Sequence, residues 1–188
     1  MIFSIIVPVF NEEKTILKIL NTLNNLSFLK FKKEIIVVDD GSTDSTRNIL
    51  NQNKSLYSSL YFNEKNMGKG AAVKLGLKNC KGDYVVFQDA DLEYDPNDLI
   101  KFEEVFLKFN ADGVIGSRFN YDKYTRSHSI MNKIGNYILT LLFNILYNTT
   151  FTDIYSCYFA FNKKLINFNN LKVDGFAQHA EILCKVIK

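Results

Sequence analysis

Histidine occurs twice in these 188 residues, proline twice and cysteine three times. Two histidines do not make an imidazole cage for a metal. Cys80, Cys157 and Cys184 lie far apart, with neither zinc-site spacing nor the density of a disulfide framework, so a reducing, cytoplasmic setting is expected. A net charge of +3 is too small to argue for a nucleic-acid partner. No apolar run is long enough to span a membrane. Met1 leads straight into a strand-like stretch, which does not read as a signal peptide. What remains is 47% hydrophobic and 23% charged, the balance of an ordinary globular protein with a core of one domain.

Apolar runs and helical periodicities alternate along the first two thirds. Phe3–Phe10 is a continuous apolar run closed by a proline, a strand buried on both faces. Residues 13–26 carry Ile16, Ile19, Leu20 and Leu23 at helical spacing. Lys33–Ser42 ends a second buried strand in two acids and a glycine, and Ser42 or Thr43 is placed to cap a helix running to Leu50. A weak strand at 60–62, a helix over 69–80, a strand over 83–88, a helix from Pro96 to Phe109 and a short buried strand at 111–117 follow. This pattern predicts an α/β fold with a mostly parallel central sheet and helices on both faces. Residues 119–130 are polar and read as a mobile loop. Residues 132–148 form a long helical stretch poor in charge, read first as a core helix. Residues 157–161 suggest a late strand and 179–188 a last helix.

In a parallel sheet, ligands sit at the carboxyl ends of the strands. Asn11, Asp39, Asp40, Asp89 and Asp91 all fall there. The stretch 84–96 places a carboxylate at every second position: Asp89, Asp91, Glu93 and Asp95. In an extended chain these share one face, roughly 7 Å apart, and repel one another. Singly, each reads as a cap or a solvated turn, and Asp95 before Pro96 is best taken so. Asp89 and Asp91 together need a counter-charge, and no Lys or Arg stands near them in sequence. Oxygen ligands without histidine or cysteine suit Mg²⁺ or Mn²⁺, held by one or two carboxylates beside substrate phosphates. Gly68 and Gly70 give only a partial dinucleotide fingerprint with its third glycine missing, and no Ser or Thr follows to make a Walker loop. Lys69, at a helix start, is placed to help backbone amides hold an anion, or simply to be a solvated lysine beside a tight turn.

PVFNE (8–12), VVDDGSTDST (37–46), GKGAAVKLG (68–76), YVVFQDADLEYDP (84–96) and GSRF (116–119) resemble, in order and spacing, the family 2 glycosyltransferases. The branch they resemble most makes polyprenyl- or dolichyl-phosphate sugars. TDIYSCYFAF (152–161) and GFAQHAEIL (175–183) resemble later elements of the family. The resemblance implies a GT-A nucleotide-diphospho-sugar transferase fold. It implies one catalytic domain over 1–188, with 1–118 binding the nucleotide sugar and 119–188 the acceptor. It implies that Pro8, Phe10, Asn11 and Glu12 line the nucleotide pocket, that Asp40 meets the base, and that Lys69 lies nearby. Asp89 would reach the ribose or the metal through water, Asp91 with Glu93 would hold the metal on the diphosphate, and Arg118 and Arg126 would take the acceptor phosphate. Phe159 departs from the family, where a basic residue is common. The chain also ends soon after the last motif, without the membrane segments of many relatives, which reads as a truncated or incomplete enzyme.

The expected partners are therefore a nucleotide-sugar donor, with uridine favoured over guanosine, and a lipid-phosphate acceptor. An ionised phosphate needs no base, whereas a sugar hydroxyl does, and Asp153 and Glu181 are the candidate catalytic bases. Asp153 can instead orient an arginine, and Glu181 can be a helix-surface residue. Residues 132–148 offer a second reading, an interfacial helix making peripheral contact at the cytoplasmic face of a membrane. The rival functions are transfer to a sugar or protein hydroxyl, and a nucleotide-sugar-binding module without turnover. Nucleotidyl transfer ranks low, because PVFNEE stands where its glycine-rich signature would be.

Overall fold

The computed structural model describes residues 1–118, 130–175 and 177–187. In chain order the elements are β1 (Ile2–Val9), α1 (Ile16–Asn25), β2 (Lys32–Asp39), α2 (Thr46–Gln52), β3 (Ser59–Phe62), α3 (Lys69–Asn79), β4 (Tyr84–Phe87), α4 (Leu99–Phe109), β5 (Gly113–Ile115), α5 (Ile130–Tyr147), β6 (Phe159–Asn162) and α6 (Gln178–Val186). The strands form one sheet in the order β3-β2-β1-β4-β6-β5. β1 runs parallel to β2 and β4, and β2 parallel to β3. β6 is the exception, antiparallel to both β4 and β5. It inserts between two strands from the first 118 residues, so the two sequence halves share one sheet.

The alternation along β1 divides the core. Phe3, Ile5, Val7 and Val9 pack with Ile16, Ile19, Leu20 and Leu23 of α1, Leu50 of α2 and Leu99, Phe102 and Phe106 of α4. Ile6 turns to the other face, where Ala72, Val73 and Leu77 of α3 meet Phe159 and Phe161 of β6 and Ile182 and Leu183 of α6. One buried charge ties the first layer together. The Glu103 carboxylate on α4 accepts the backbone N–H groups of Leu29, Lys30 and Phe31, each at 2.7 Å, ahead of β2. Those donors replace the water the carboxylate gives up on burial.

Three expectations need correction. α2 begins at Thr46, not at Ser42 or Thr43, because those two residues are spent on the neighbouring loop: the Asn11 N–H donates to Ser42 Oγ at 3.0 Å and the Thr43 N–H to Asn11 Oδ1 at 2.8 Å. β5 is half-exposed instead of buried, since it is a three-residue edge strand that, among the described residues, pairs with β6 alone. α5 is not an ordinary core helix. Only Asn136, Thr140 and Phe143 are buried, while Ile145 and Leu146 are 69% and 78% exposed. The loop expected over 119–130 falls, except for Ile130, outside the described residues, and Arg126 with it.

Candidate active site

The loops after β1 and β2 knit into one rim. Asn11 holds a left-handed backbone (φ 55°), a region that asparagine enters more readily than most residues. Its carbonyl oxygen accepts from Thr43, while the Glu12 N–H donates to Thr46 Oγ1 at 2.8 Å. Pro8 is half-buried within β1, and Phe10 and Asn11 stand exposed just beyond it. Asp39 is fully buried and structural, accepting the Ser42 N–H at 3.0 Å and Arg47 Nε at 2.9 Å. Arg47 in turn lies over the Phe62 ring, 4.8 Å from its centroid.

Asp40 is buried beside it and closes the loop that precedes α3. Its carboxylate accepts Asn63 Nδ2 at 2.6 Å, the Met67 N–H at 3.1 Å and the Gly68 N–H at 2.8 Å. A nucleobase donor at Asp40 therefore has to share a carboxylate already taken by three groups. Gly41 follows at φ +74°, and a Cβ there would come within 2.5 Å of the Lys65 backbone carbon, so only glycine lets the two loops close.

β4 stops at Phe87, and the acids beyond it are not in an extended chain. The segment turns, with Leu92 at φ 64°, so it is a bend and not strand alternation that brings the carboxylates together. The turn is held from inside. The buried Gln88 amide donates to the carbonyls of Asp89 (3.0 Å) and Tyr94 (3.3 Å). Its oxygen lies 2.8 Å from the Tyr158 hydroxyl, which also reaches the Asp95 carbonyl at 2.5 Å. Asp95 caps the following turn as expected, accepting the Asn97 N–H at 3.0 Å.

The counter-charge of Asp89 comes from the fold and not from nearby sequence. Lys69 Nζ is 2.5 Å from Asp89 Oδ1 and 3.2 Å from Cys157 Sγ. Burial alone would lower the lysine's pKa, but the charge of Asp89 and then Cys157 raise it, so the ammonium is firmly charged. Burial and Asp89 together push the Cys157 thiol up to about 11, which makes it a poor nucleophile. The start of α3 is not an open anion cradle either. A Cβ on Gly70 would lie 2.5 Å from the Asp174 carbonyl oxygen, so the backbone of 174–175 covers it.

Asp91 differs from Asp89. Among the described residues no Lys or Arg pairs with it, and its Oδ1 accepts only the Glu93 N–H, at 2.9 Å. Partial desolvation, and then the negative charges of Asp89, Glu93 and Glu12, raise its pKa above the ordinary value. Among the described residues no three His, Cys, Asp or Glu side chains converge on a closed metal cage. The donor set fits an open oxygen site centred on Asp91, the arrangement Mg²⁺ and Mn²⁺ accept when substrate oxygens complete the shell.

The two base candidates are both committed elsewhere. Asp153 is buried and grips Arg118 at two points: Arg118 Nε donates to Oδ2 at 2.7 Å and Nη2 to Oδ1 at 2.9 Å. The Asn136 amide adds a third donor at 2.8 Å. Burial opposes ionisation, yet the bonds from Arg118 and Asn136 prevail and hold the carboxyl below its ordinary pKa. This geometry agrees with the alternative stated above, in which Asp153 orients an arginine. Glu181, on α6, accepts the Lys172 and Val173 N–H groups at 2.9 Å and is likewise held low, chiefly by those bonds against desolvation. Phe159, the departure from the family pattern, is buried against Phe161 and His179, so the basic residue gives way to core. The sequence reading missed Cys157, Asn136, Gln88 and Tyr158. Cys157 and Tyr158 had a local signal, their place within the SCY stretch.

The family model for glycosyl transferase family 2 matches residues 4–168. A UDP-N-acetylglucosamine–dolichyl-phosphate N-acetylglucosaminyltransferase of Methanococcus voltae is 30% identical over 86% of this chain and 70% of its own length. A poly(ribitol-phosphate) beta-glucosyltransferase of Bacillus spizizenii is 42% identical over 62% of this chain, but only 19% of that protein is covered. Among solved structures, glucosyl-3-phosphoglycerate synthase of Mycobacterium tuberculosis, in complex with Mn²⁺, UDP and glucosyl-3-phosphoglycerate, superposes with a TM-score of 0.71 at 21% identity, over 96% of this chain and 63% of that one. At that identity the likeness is one of fold.

Proposed function

Because the chain belongs to glycosyl transferase family 2 and has its GT-A fold, we propose that it moves a sugar from a nucleotide diphosphate sugar, a UDP-sugar in preference to GDP-mannose, to a polyprenyl or dolichyl phosphate. One observation carries the donor half: Asp91, at the carboxyl edge of the sheet, is crowded by Asp89, Glu93 and Glu12 without a cationic side chain of its own among the described residues. Asp91 would hold Mg²⁺ or Mn²⁺ beside substrate phosphate oxygens, with Glu93 and Asp89 adding to the negative field around it, and the ion when bound would neutralise charge on the leaving nucleoside diphosphate. Lys69 fixes Asp89 through their ion pair, and Pro8, Phe10, Asn11 and Glu12 form the rim against which the nucleoside would lie. The preference for uridine is supported by the name of the Methanococcus voltae relative.

The acceptor half rests on the fate of the carboxylates. An acceptor hydroxyl must lose its proton to a base within hydrogen-bond reach. Asp153 and Glu181 both already accept N–H donors and are both held below the ordinary carboxyl pKa, which makes them weak bases. A phosphate acceptor is already ionised and asks only for a cation to orient it. Arg118 is suited to that task, since Asp153 fixes its guanidinium through Nε and Nη2, and a planar guanidinium is the side chain that pairs phosphate oxygens. Arg126 is proposed as its companion. The acceptor oxygen then attacks the anomeric carbon opposite the leaving diphosphate, and the configuration inverts. The exposed apolar side of α5 supports peripheral contact with the membrane that carries such a lipid.

Calorimetric titration with UDP- and GDP-sugars, with and without Mn²⁺, tests the donor half. Metal-dependent binding of UDP-sugars is expected, and Asp91→Ala should abolish it. Equal binding by Asp91→Ala, or no binding of any nucleotide sugar by the wild type, would sink the reading.

A further inference from the structure

α5 joins two opposite chemistries. Outward it shows Ile134, Tyr137, Ile138, Leu141, Leu142 and Ile145, all exposed. Inward it presents Asn136, Thr140 and Asn144, four residues apart and therefore on one face. All three bond toward the segment 149–154. Asn144 Nδ2 donates to the Phe151 carbonyl at 2.8 Å, and Asn144 Oδ1 accepts the Phe151 N–H at 2.9 Å. Thr140 Oγ1 accepts the Ile154 N–H at 3.4 Å and donates to Asn136 Oδ1 at 3.3 Å, which turns the Asn136 amide nitrogen toward Asp153. Asp153 Oδ1 is thus shared between Asn136 Nδ2 at 2.8 Å and Arg118 Nη2 at 2.9 Å.

We infer that Asn136 is a positioning residue for Arg118, and that through it the seating of α5 sets the acceptor-phosphate end of the site. This rests on the acceptor reading above. Asp153 holds Arg118 by backbone as well as side chain, its Oδ2 accepting the Arg118 N–H at 3.2 Å. The orientation of that carboxylate therefore bears directly on that of the guanidinium. Asn136 is the one donor that α5 contributes to Asp153 among the described residues. A buried polar row is tolerated only when every member is satisfied, so the stripe admits one register of α5 against 149–154. A slide of about 1 Å would carry the Asn136 bond beyond hydrogen-bond range. Whatever the outer face of α5 rests on is thereby coupled to the arginine on its inner side.

The test compares Asn136→Ala with the wild type. Titration with UDP and Mn²⁺ should be unchanged, which also reports a folded chain. Transfer to polyprenyl phosphate in anionic vesicles should show an apparent KM for the lipid raised by about tenfold with kcat little altered, the effect of one lost bond to a charged group. Phenylglyoxal labelling of Arg118, read by peptide mass spectrometry, should rise. In an Arg118→Ala background Asn136→Ala should add nothing to the KM. Unchanged labelling with unchanged KM would overturn the inference, as would an additive double variant. Increased labelling in a chain that transfers to no lipid phosphate would keep the positioning role and remove the acceptor reading instead. Should Asn136→Ala not fold, Thr140→Val removes the group that orients Asn136 and is read in the same way.

Discussion

His179 sits edge-on to Phe87 and Phe159, with ring centroids 5.8 Å away in each case, and its Nε2 has no partner among the described residues. Burial first, and the Lys69 charge second, lower its pKa to about 4. In the unfolded chain it titrates near ~6.5. Between those values the unfolded state binds more protons than the folded one, so stability rises with pH across that window. The urea midpoint should climb from pH 4 to pH 6.5, by up to about 3 kcal/mol if His179 dominates. His179→Phe should flatten the climb, and a profile as steep as the wild type's would place the titration elsewhere. Such pairings are where the sequence was silent. Asp89 was read as short of a counter-charge because Lys69 lies twenty positions away in the chain, and only the packing of α3 against the sheet brings them to 2.5 Å. For Asp153 the sequence leaves a base and an arginine-orienting group as alternatives for the same reason: its identity is local, but its partner Arg118 is not.

Among the elements, β1, β2 and β4 were legible because a strand buried on both faces leaves a continuous apolar run, and the turn acids stood out where those runs stopped. The shape of the acid turn was not legible. It depends on Gln88 and Tyr158, which hold the carbonyls at its two ends and flank β4 and β6, strands far apart in sequence that meet in the sheet. Tyr158→Phe removes the shared hydroxyl and keeps the ring against Phe102 and Tyr94. It should loosen the turn more than the core. Binding of Mn²⁺ and UDP should weaken by about five- to tenfold, as one lost buried hydrogen bond implies, with only a small fall in Tm. Affinity equal to wild type in calorimetry would mean that the turn keeps its shape without the clamp.

At the scale of the whole molecule, the apolar surface is lopsided. One helix exposes ten large apolar side chains, and none of the described helices is long and apolar enough to cross a membrane. The periodicity of 132–148 could not separate a core helix from a surface one, because apolar residues ring it almost completely and only its polar stripe shows which side faces the body. The two sides of α5 should therefore answer differently to substitution. Phe143 is buried and stacks on Tyr147 at 4.5 Å, so Phe143→Ala should cost about 3 kcal/mol in urea unfolding. Ile145→Glu and Leu142→Glu lie on exposed positions, so the unfolding midpoint should hardly move. Both should abolish flotation with anionic vesicles at low salt, since a carboxylate on the inserting face opposes burial and meets a like-charged surface. Loss of stability in Ile145→Glu would mean that this side of α5 is covered by protein. Retained stability without vesicle binding in the wild type would leave the helix without a membrane role, and the lipid would have to reach Arg118 by another route.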